Sequence, residues 1–137
     1  MINKELVRPV GSIGQDNLIA HIEPEAKTTG IYVKAGAGNL SRGTVLYRTS
    51  DGSYDVYAGG VAIPAENEGD DPTVVHVEPS IILTEDTDAS TAKQAAVGYR
   101  CGCFNRNALI FGTGYTMTDA DVDTLRKYGI ILSDFLD

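Results

Sequence analysis

From Gly30 onward the apolar positions come in short alternating runs, the pattern of strands rather than helices. In GIYVKAG, Ile31 and Val33 fall on one face and Tyr32 and Lys34 on the other. AGAGNLSRGTVLYRTSDGSYDVY reads as turn, strand, turn, strand. Asp51-Gly52 marks a hairpin, because glycine accepts the positive φ that tight turns demand, and Tyr47 and Tyr54 are expected to face each other across it. PAENEGDDPT, residues 64–73, is a polar loop bracketed by prolines. Beyond it come a short strand, a break at Pro79, and the run Ile81-Ile82-Leu83, which fits a buried strand. The longest strand candidate lies within Lys93–Phe111. There Val97, Tyr99, Cys101 and Cys103 share one side, and Gly98, Arg100, Gly102 and Phe104 the other. Asn105-Arg106-Asn107 makes a turn, and ALIF returns.

One segment has helical signals instead. They run from about Asp119 to Tyr128. Thr118 suits the N-cap, Asp119 and Asp121 suit the positive end of the helix dipole, and Met117 with Val122 can form a hydrophobic staple. Val122 and Leu125 are the expected buried face, Arg126 and Lys127 sit in the last turn, and Gly129 supplies the C-cap. IILSDFL ends the chain as an apolar strand or packed tail.

The first 30 residues read as an arm. ELVRPV and NLIAHI are short apolar pieces separated by glycine, proline and charge, without sustained periodicity. Such a segment buries little surface alone and orders against something else. The expected architecture is therefore mainly β with a short C-terminal helix, α+β at most. It is a small β-barrel-like or β-sandwich-like domain over residues 30–137, preceded by an extended, flexible arm over residues 1–29.

Charge narrows the partners. Net charge is −8. Residues 1–42 are close to neutral, with five Lys/Arg and four Asp/Glu, whereas residues 43–137 carry six basic and fifteen acidic side chains. A body of that sign repels a phosphate backbone, so no direct nucleic-acid binding is expected. No apolar run approaches the ~20 residues of a membrane helix, and the first residues lack the apolar centre of a signal peptide. Synthesis and use in a cytoplasm follow as the expectation, with no membrane partner.

Candidate chemistry is sparse. The two cysteines, Cys101 and Cys103, stand one residue apart. Zinc sites take two separated ligand pairs, and His21 and His76 are isolated from each other and from the cysteines. Cys-Gly-Cys is not the Cys-x-x-Cys of a redox helix, and a disulfide between positions i and i+2 is strained. Both are read as small apolar side chains pointing into a core. TEDTDAS fails as a calcium loop, because Thr91 and Val97 stand where glycine and the bidentate glutamate are needed. GAGNLSRG has no helix after it, as a dinucleotide site requires, and no nucleophile elbow or phosphate loop occurs. The expectation is no enzyme, no metal and no cofactor.

The order of segments adds a resemblance. LSRGTVLYRTSDGSYDVY, SIILTEDTDAS, AAVGYRCGCFNRNALIF and TMTDADVDTLRKYGIIL, over roughly residues 40–132, resemble in order the head decoration proteins of tailed phages. That family is typified by the lambdoid decoration protein D. The arm has no residue-by-residue counterpart, residues 64–73 look like an insertion, and both cysteines fall at variable positions. The resemblance implies a small β-rich fold, a homotrimer on the capsid exterior, and binding to the major capsid protein lattice after expansion. The bound protein would resist the pressure of packaged DNA, which makes the virion exterior its expected place. A near-neutral arm on an acidic body suits strand addition to a partner's sheet edge. The candidate capsid-binding residues are Leu6, Val7, Val10, Leu18, Ile19 and Ile22. The alternatives are another phage structural component, such as a head fibre base or tail protein, and a non-enzymatic acidic binding module.

Overall fold

The computed structural model describes residues 17–22, 24–63, 69 and 73–133. The chain is mainly β, with one α-helix near its C-terminal end. In chain order the strands are β1 (Ile19–His21), β2 (Lys27–Val33), β3 (Gly38–Leu40), β4 (Val45–Arg48), β5 (Tyr54–Val56) and β6 (Gly60–Ile63). Next come β7 (Thr73–His76), β8 (Pro79–Leu83), β9 (Thr87–Ala89) and β10 (Gln94–Asn105), then helix α1 (Asp119–Lys127) and β11 (Ile130–Ser133). β3 pairs with β9 and β6 with β7 as separate two-stranded ladders.

Strands β10, β2, β5, β4 and β8 pair in that order, and β8 pairs back onto β10, so the five close into a ring. Of the expected barrel-like or sandwich-like arrangements, the ring is the barrel. Its thinnest link is β2–β5, where Val33 is in parallel register with Tyr54 and the Lys34 N–H donates to the Tyr54 carbonyl at 2.8 Å. Closure occurs at Gly98, which is in register with Thr29 of β2 on one side and Leu83 of β8 on the other. A Cβ at Gly98 would lie 2.3 Å from Ile81 Cγ2. Glycine here is what lets Ile81 fill the interior.

Alternation sorts the side chains into two cores. Ile31, Val33, Leu46, Ile81, Leu83 and Ala96 form the barrel core. Val45, Tyr47 and Ile82 form an outer core with Leu18, Phe104, Leu125 of α1 and Ile130 of β11. Both faces of β4 and β8 are thus covered. That is why Ile81-Ile82-Leu83 is uninterruptedly apolar and buried throughout.

The hairpin after β4 forms at the expected place but in a different register. Tyr47 lies opposite Asp55, and Arg48 opposite Tyr54. The Thr49 N–H donates to the Ser53 carbonyl at 2.7 Å, and Gly52, at φ +92°, donates to the Thr49 carbonyl at 3.0 Å. This leaves a three-residue loop over residues 50–52. Asp51 Oδ1 accepts from the Ser53 N–H at 2.9 Å and from both neighbouring hydroxyls, which hold its carboxyl well below the usual range. A one-residue difference in register moves a side chain to the opposite face. Tyr47 accordingly joins the outer core, whereas Tyr54 packs on the barrel core.

The cysteine segment departs further from simple alternation. Up to Tyr99 the inward positions are Ala96 and Gly98, while Val97 is exposed. β2 then steps from Thr28 to Lys27 while β10 steps from Tyr99 to Cys101, so Arg100 is the extra residue of a bulge. Beyond it β10 lies between β1, antiparallel, and β11, parallel, and Gly102 to Asn105 are buried in succession. Only Cys103 is a core residue, at 4 % exposure. Cys101 is half-buried, and its thiol donates to the Glu25 carbonyl at 3.7 Å. The glycine between them is the constrained position. Its φ is +142°, and a Cβ there would come within 3.0 Å of Ala26 Cα and the Phe104 ring.

Helix α1 has the expected ends. Thr118 caps it in a capping box with Asp121, and Gly129, at φ +95°, donates its N–H to the Arg126 carbonyl at 3.0 Å. Its buried residues are Asp121 and Leu125, four apart on one face, with Val122 half-buried beside them. The helix leaves through Gly129 into β11, against Cys101 and Gly102 of β10.

Candidate interaction surfaces

The arm enters the folded body through Leu18. This side chain is 1 % exposed and belongs to the outer core, and the Leu18 carbonyl accepts from the Asn105 N–H at 2.7 Å. Ile19 then pairs with Phe104 and His21 with Cys103. Of the six apolar residues singled out in the arm, Leu18 is therefore packed inward, Ile19 is 37 % exposed on β1, and Ile22 is 87 % exposed. Leu6, Val7 and Val10 lie outside the described residues, as does most of the 64–73 segment.

A polar clasp lies at the start of α1. The Asp121 carboxylate accepts from the Tyr57 hydroxyl at 2.5 Å, from the Tyr115 hydroxyl, and from the Thr118 N–H at 2.9 Å. Burial pushes this carboxyl up, but donation from Tyr115, Tyr57 and Thr118 outweighs burial and holds it below the ordinary carboxylate range. Burial first, and then the bond to Asp121, raise both tyrosines. The Tyr57 and Tyr115 rings meet edge to face at 5.5 Å. Nothing along the sequence links these tyrosines to Asp121. Only Thr118, three residues before an acid, signals a capping box, and it points to half of the cluster.

The barrel strands run out at a concave mouth of about 830 Å³, lined by Thr29, Arg48, Tyr54, Glu78 and Arg100 among others. Thr29 continues the inward face of Ile31, and Arg48 that of Leu46. Burial pushes the Cys103 thiol up, which leaves it a poor nucleophile. Among the described residues no three His, Cys, Asp or Glu side chains group to hold a metal ion. No described helix is long and apolar enough to cross a membrane.

Comparison with curated proteins finds no match. A family model, described as bacteriophage lambda head decoration protein D, matches residues 12–130, which takes in β1 to β10, α1 and the first residue of β11. That family is structural rather than catalytic. With four sequence segments in family order, a mainly β fold closed by a short helix and strand, and a match over most of its length, the chain belongs to the phage head decoration protein D family.

Proposed function

We propose that this protein decorates the outer surface of the expanded phage head. In this reading it binds the major capsid protein lattice as a homotrimer and stabilises the shell against the pressure of packaged DNA. The observation that carries the reading is the family match over residues 12–130, which includes the root of the arm as well as the barrel. The protein is made in the host cytoplasm and ends on the virion exterior.

The arm is the capsid contact in this proposal, and the β-rich domain of residues 30–137 is the body it tethers. Leu6, Val7 and Val10 supply apolar side chains to a strand added along a partner's sheet edge, where main-chain hydrogen bonds give affinity. Ile19 and Ile22, both exposed, extend that contact, whereas Leu18 fastens the arm to the outer core. Ordering a segment lowers the affinity of each contact, and many copies on one lattice offset that cost. The acidic body faces solvent.

Co-sedimentation with purified cognate expanded capsids tests this. Full-length protein is compared with a version lacking residues 1–16, which spares Leu18 and β1. The full chain is expected in the pellet and the truncated one in the supernatant. Binding by both places the contact on the body and removes the arm from the proposal. Binding by neither overturns the decoration reading.

A further inference from the structure

The barrel mouth gathers polar side chains that the fold itself leaves unused. Arg48 follows Leu46 on the inward face of β4, Thr29 stands next to Ile31 on that of β2, and Arg100 is the bulge residue of β10. Tyr54 and Ser80 add two more hydroxyls to the lining. Among the described residues none of these five side chains has a hydrogen-bond or ion-pair partner. Glu78, the one carboxylate among the described lining residues, is already engaged: Lys127 Nζ lies 2.9 Å from it and the Tyr128 hydroxyl donates to it at 2.6 Å. Two free guanidiniums and three free hydroxyls thus meet in a cavity of about 830 Å³, on a chain of net charge −8. That volume is within the range of about 300–1,000 Å³ typical of ligand sites.

We infer that the mouth is a binding site for an acidic peptide segment of a partner protein, one that carries two carboxylates among neutral residues. Each guanidinium fork donates two parallel hydrogen bonds to one carboxylate, so Arg48 and Arg100 together take two. The hydroxyls of Thr29, Tyr54 and Ser80 can each donate and accept, and so suit the N–H and C=O groups of the segment's main chain. Charge bounds the ligand on both sides. A neutral segment would cover the guanidiniums and leave them without acceptors, which is costly. A polyanion such as single-stranded nucleic acid would run its surplus charge from the mouth over a body that has fifteen acidic and six basic side chains in residues 43–137. This site goes beyond the proposed function, in which the arm makes the shell contact, and gives the body a contact of its own.

Titration of the full chain with a labelled serine peptide bearing two glutamates, read by fluorescence anisotropy at about 50 and about 300 mM salt, tests this. Binding is expected with a Kd below about 1 mM, weaker at the higher salt, and lost when glutamine replaces both glutamates. Arg48 and Arg100 are exposed, so R48Q/R100Q is expected to fold, and to bind the peptide about ten-fold or more weakly. K93Q/R106Q makes the same change in net charge outside the mouth and is expected to bind as the unmodified protein does. Independently of any variant, amide NMR shifts on adding peptide to the unmodified protein are expected to centre on Thr29, Arg48, Tyr54, Ser80 and Arg100. No binding at about 1 mM peptide, equal losses in the two double variants, or shifts centred elsewhere overturns the site. Tighter binding of a short oligothymidylate or of inorganic phosphate overturns the peptide assignment. The titration contains no capsid, so its failure leaves the decoration reading standing, and failure of the capsid co-sedimentation leaves this site standing.

Discussion

The Tyr57 hydroxyl donates to the Asp121 carboxylate at 2.5 Å, across 64 residues of chain. This bond ties the segment after β5 to the first turn of α1, and Leu125, one turn on, carries the helix into the outer core. A hydrogen bond to a charged group contributes about 1.5–3 kcal/mol, and removing one partner leaves a buried group unsatisfied. Tyr57→Phe is expected to lower stability by about 1–3 kcal/mol and Asp121→Asn by about 2–4 kcal/mol, measured by urea unfolding. The double variant should lose less than the sum, since both changes break one bond. A loss below about 0.5 kcal/mol in Asp121→Asn would show that the clasp does not stabilise the fold.

The same cluster sets a pH window. Donation to Asp121 outweighs its burial and depresses its folded pKa. Its contribution is therefore present above the unfolded value of about 3.9 and is lost as pH falls through the folded value. Tyr57 is raised, by burial first and then by its bond to Asp121. That contribution is full below the unfolded value of about 10 and declines at higher pH. Unfolding free energy is expected to fall below about pH 4 and above about pH 10, with a shallower acid limb in Asp121→Asn. An acid limb identical in that variant would assign the loss to other carboxylates.

Ring closure at Gly98 yields a steric prediction. Gly98→Ala places a methyl 2.3 Å from Ile81 Cγ2 and is expected to cost about 1–3 kcal/mol. Ile81→Ala alone opens a cavity at about 2–4 kcal/mol. Combined, the new methyl occupies part of that cavity, so the double variant should be more stable than additivity predicts. Strict additivity in a denaturant series would mean that the two side chains do not compete for space.

The two cysteines should separate by reactivity. Cys101 is half-buried, whereas Cys103 is buried and its thiol is pushed up by burial. In the native protein iodoacetamide is expected to modify Cys101 first, with Cys103 reacting at a comparable rate only after unfolding; peptide mass spectrometry reads both. Cys101→Ser should change stability by less than about 0.5 kcal/mol and Cys103→Ser by about 1–3 kcal/mol. Equal labelling of both thiols in the folded protein would contradict this assignment.

Features that depend on neighbours in sequence were legible before the structure. Thr118 and Gly129 mark the ends of α1, Asp51-Gly52 marks a turn, and Ile81-Ile82-Leu83 marks a strand covered on both faces. Features that depend on pairing were not. The Thr49–Ser53 pair sets a register that separates Tyr47 from Tyr54, and no local signal announces it. Beyond the Arg100 bulge, Gly102 to Asn105 are buried in succession between β1 and β11, which breaks the alternation that placed both cysteines in one core. Asp121 reads as a dipole partner along the chain, and becomes a buried acceptor only because Tyr57 and Tyr115 arrive from elsewhere. Leu18 reads as part of the arm, since the outer core it joins is built from residues far along the chain, Val45 and Phe104 among them.

Strand β10 has a further consequence for synthesis. Its partners come from Ile19–His21, Lys27–Val33, Pro79–Leu83 and Ile130–Ser133, nearly the whole span of the chain. The ring cannot close before Gln94–Asn105 has left the ribosome, and the outer core waits for Leu125 and Ile130. Such non-local pairing folds in about milliseconds to seconds. The nascent chain therefore passes through a stage in which the apolar faces of β4 and β8 stand uncovered while their last partners are still being made.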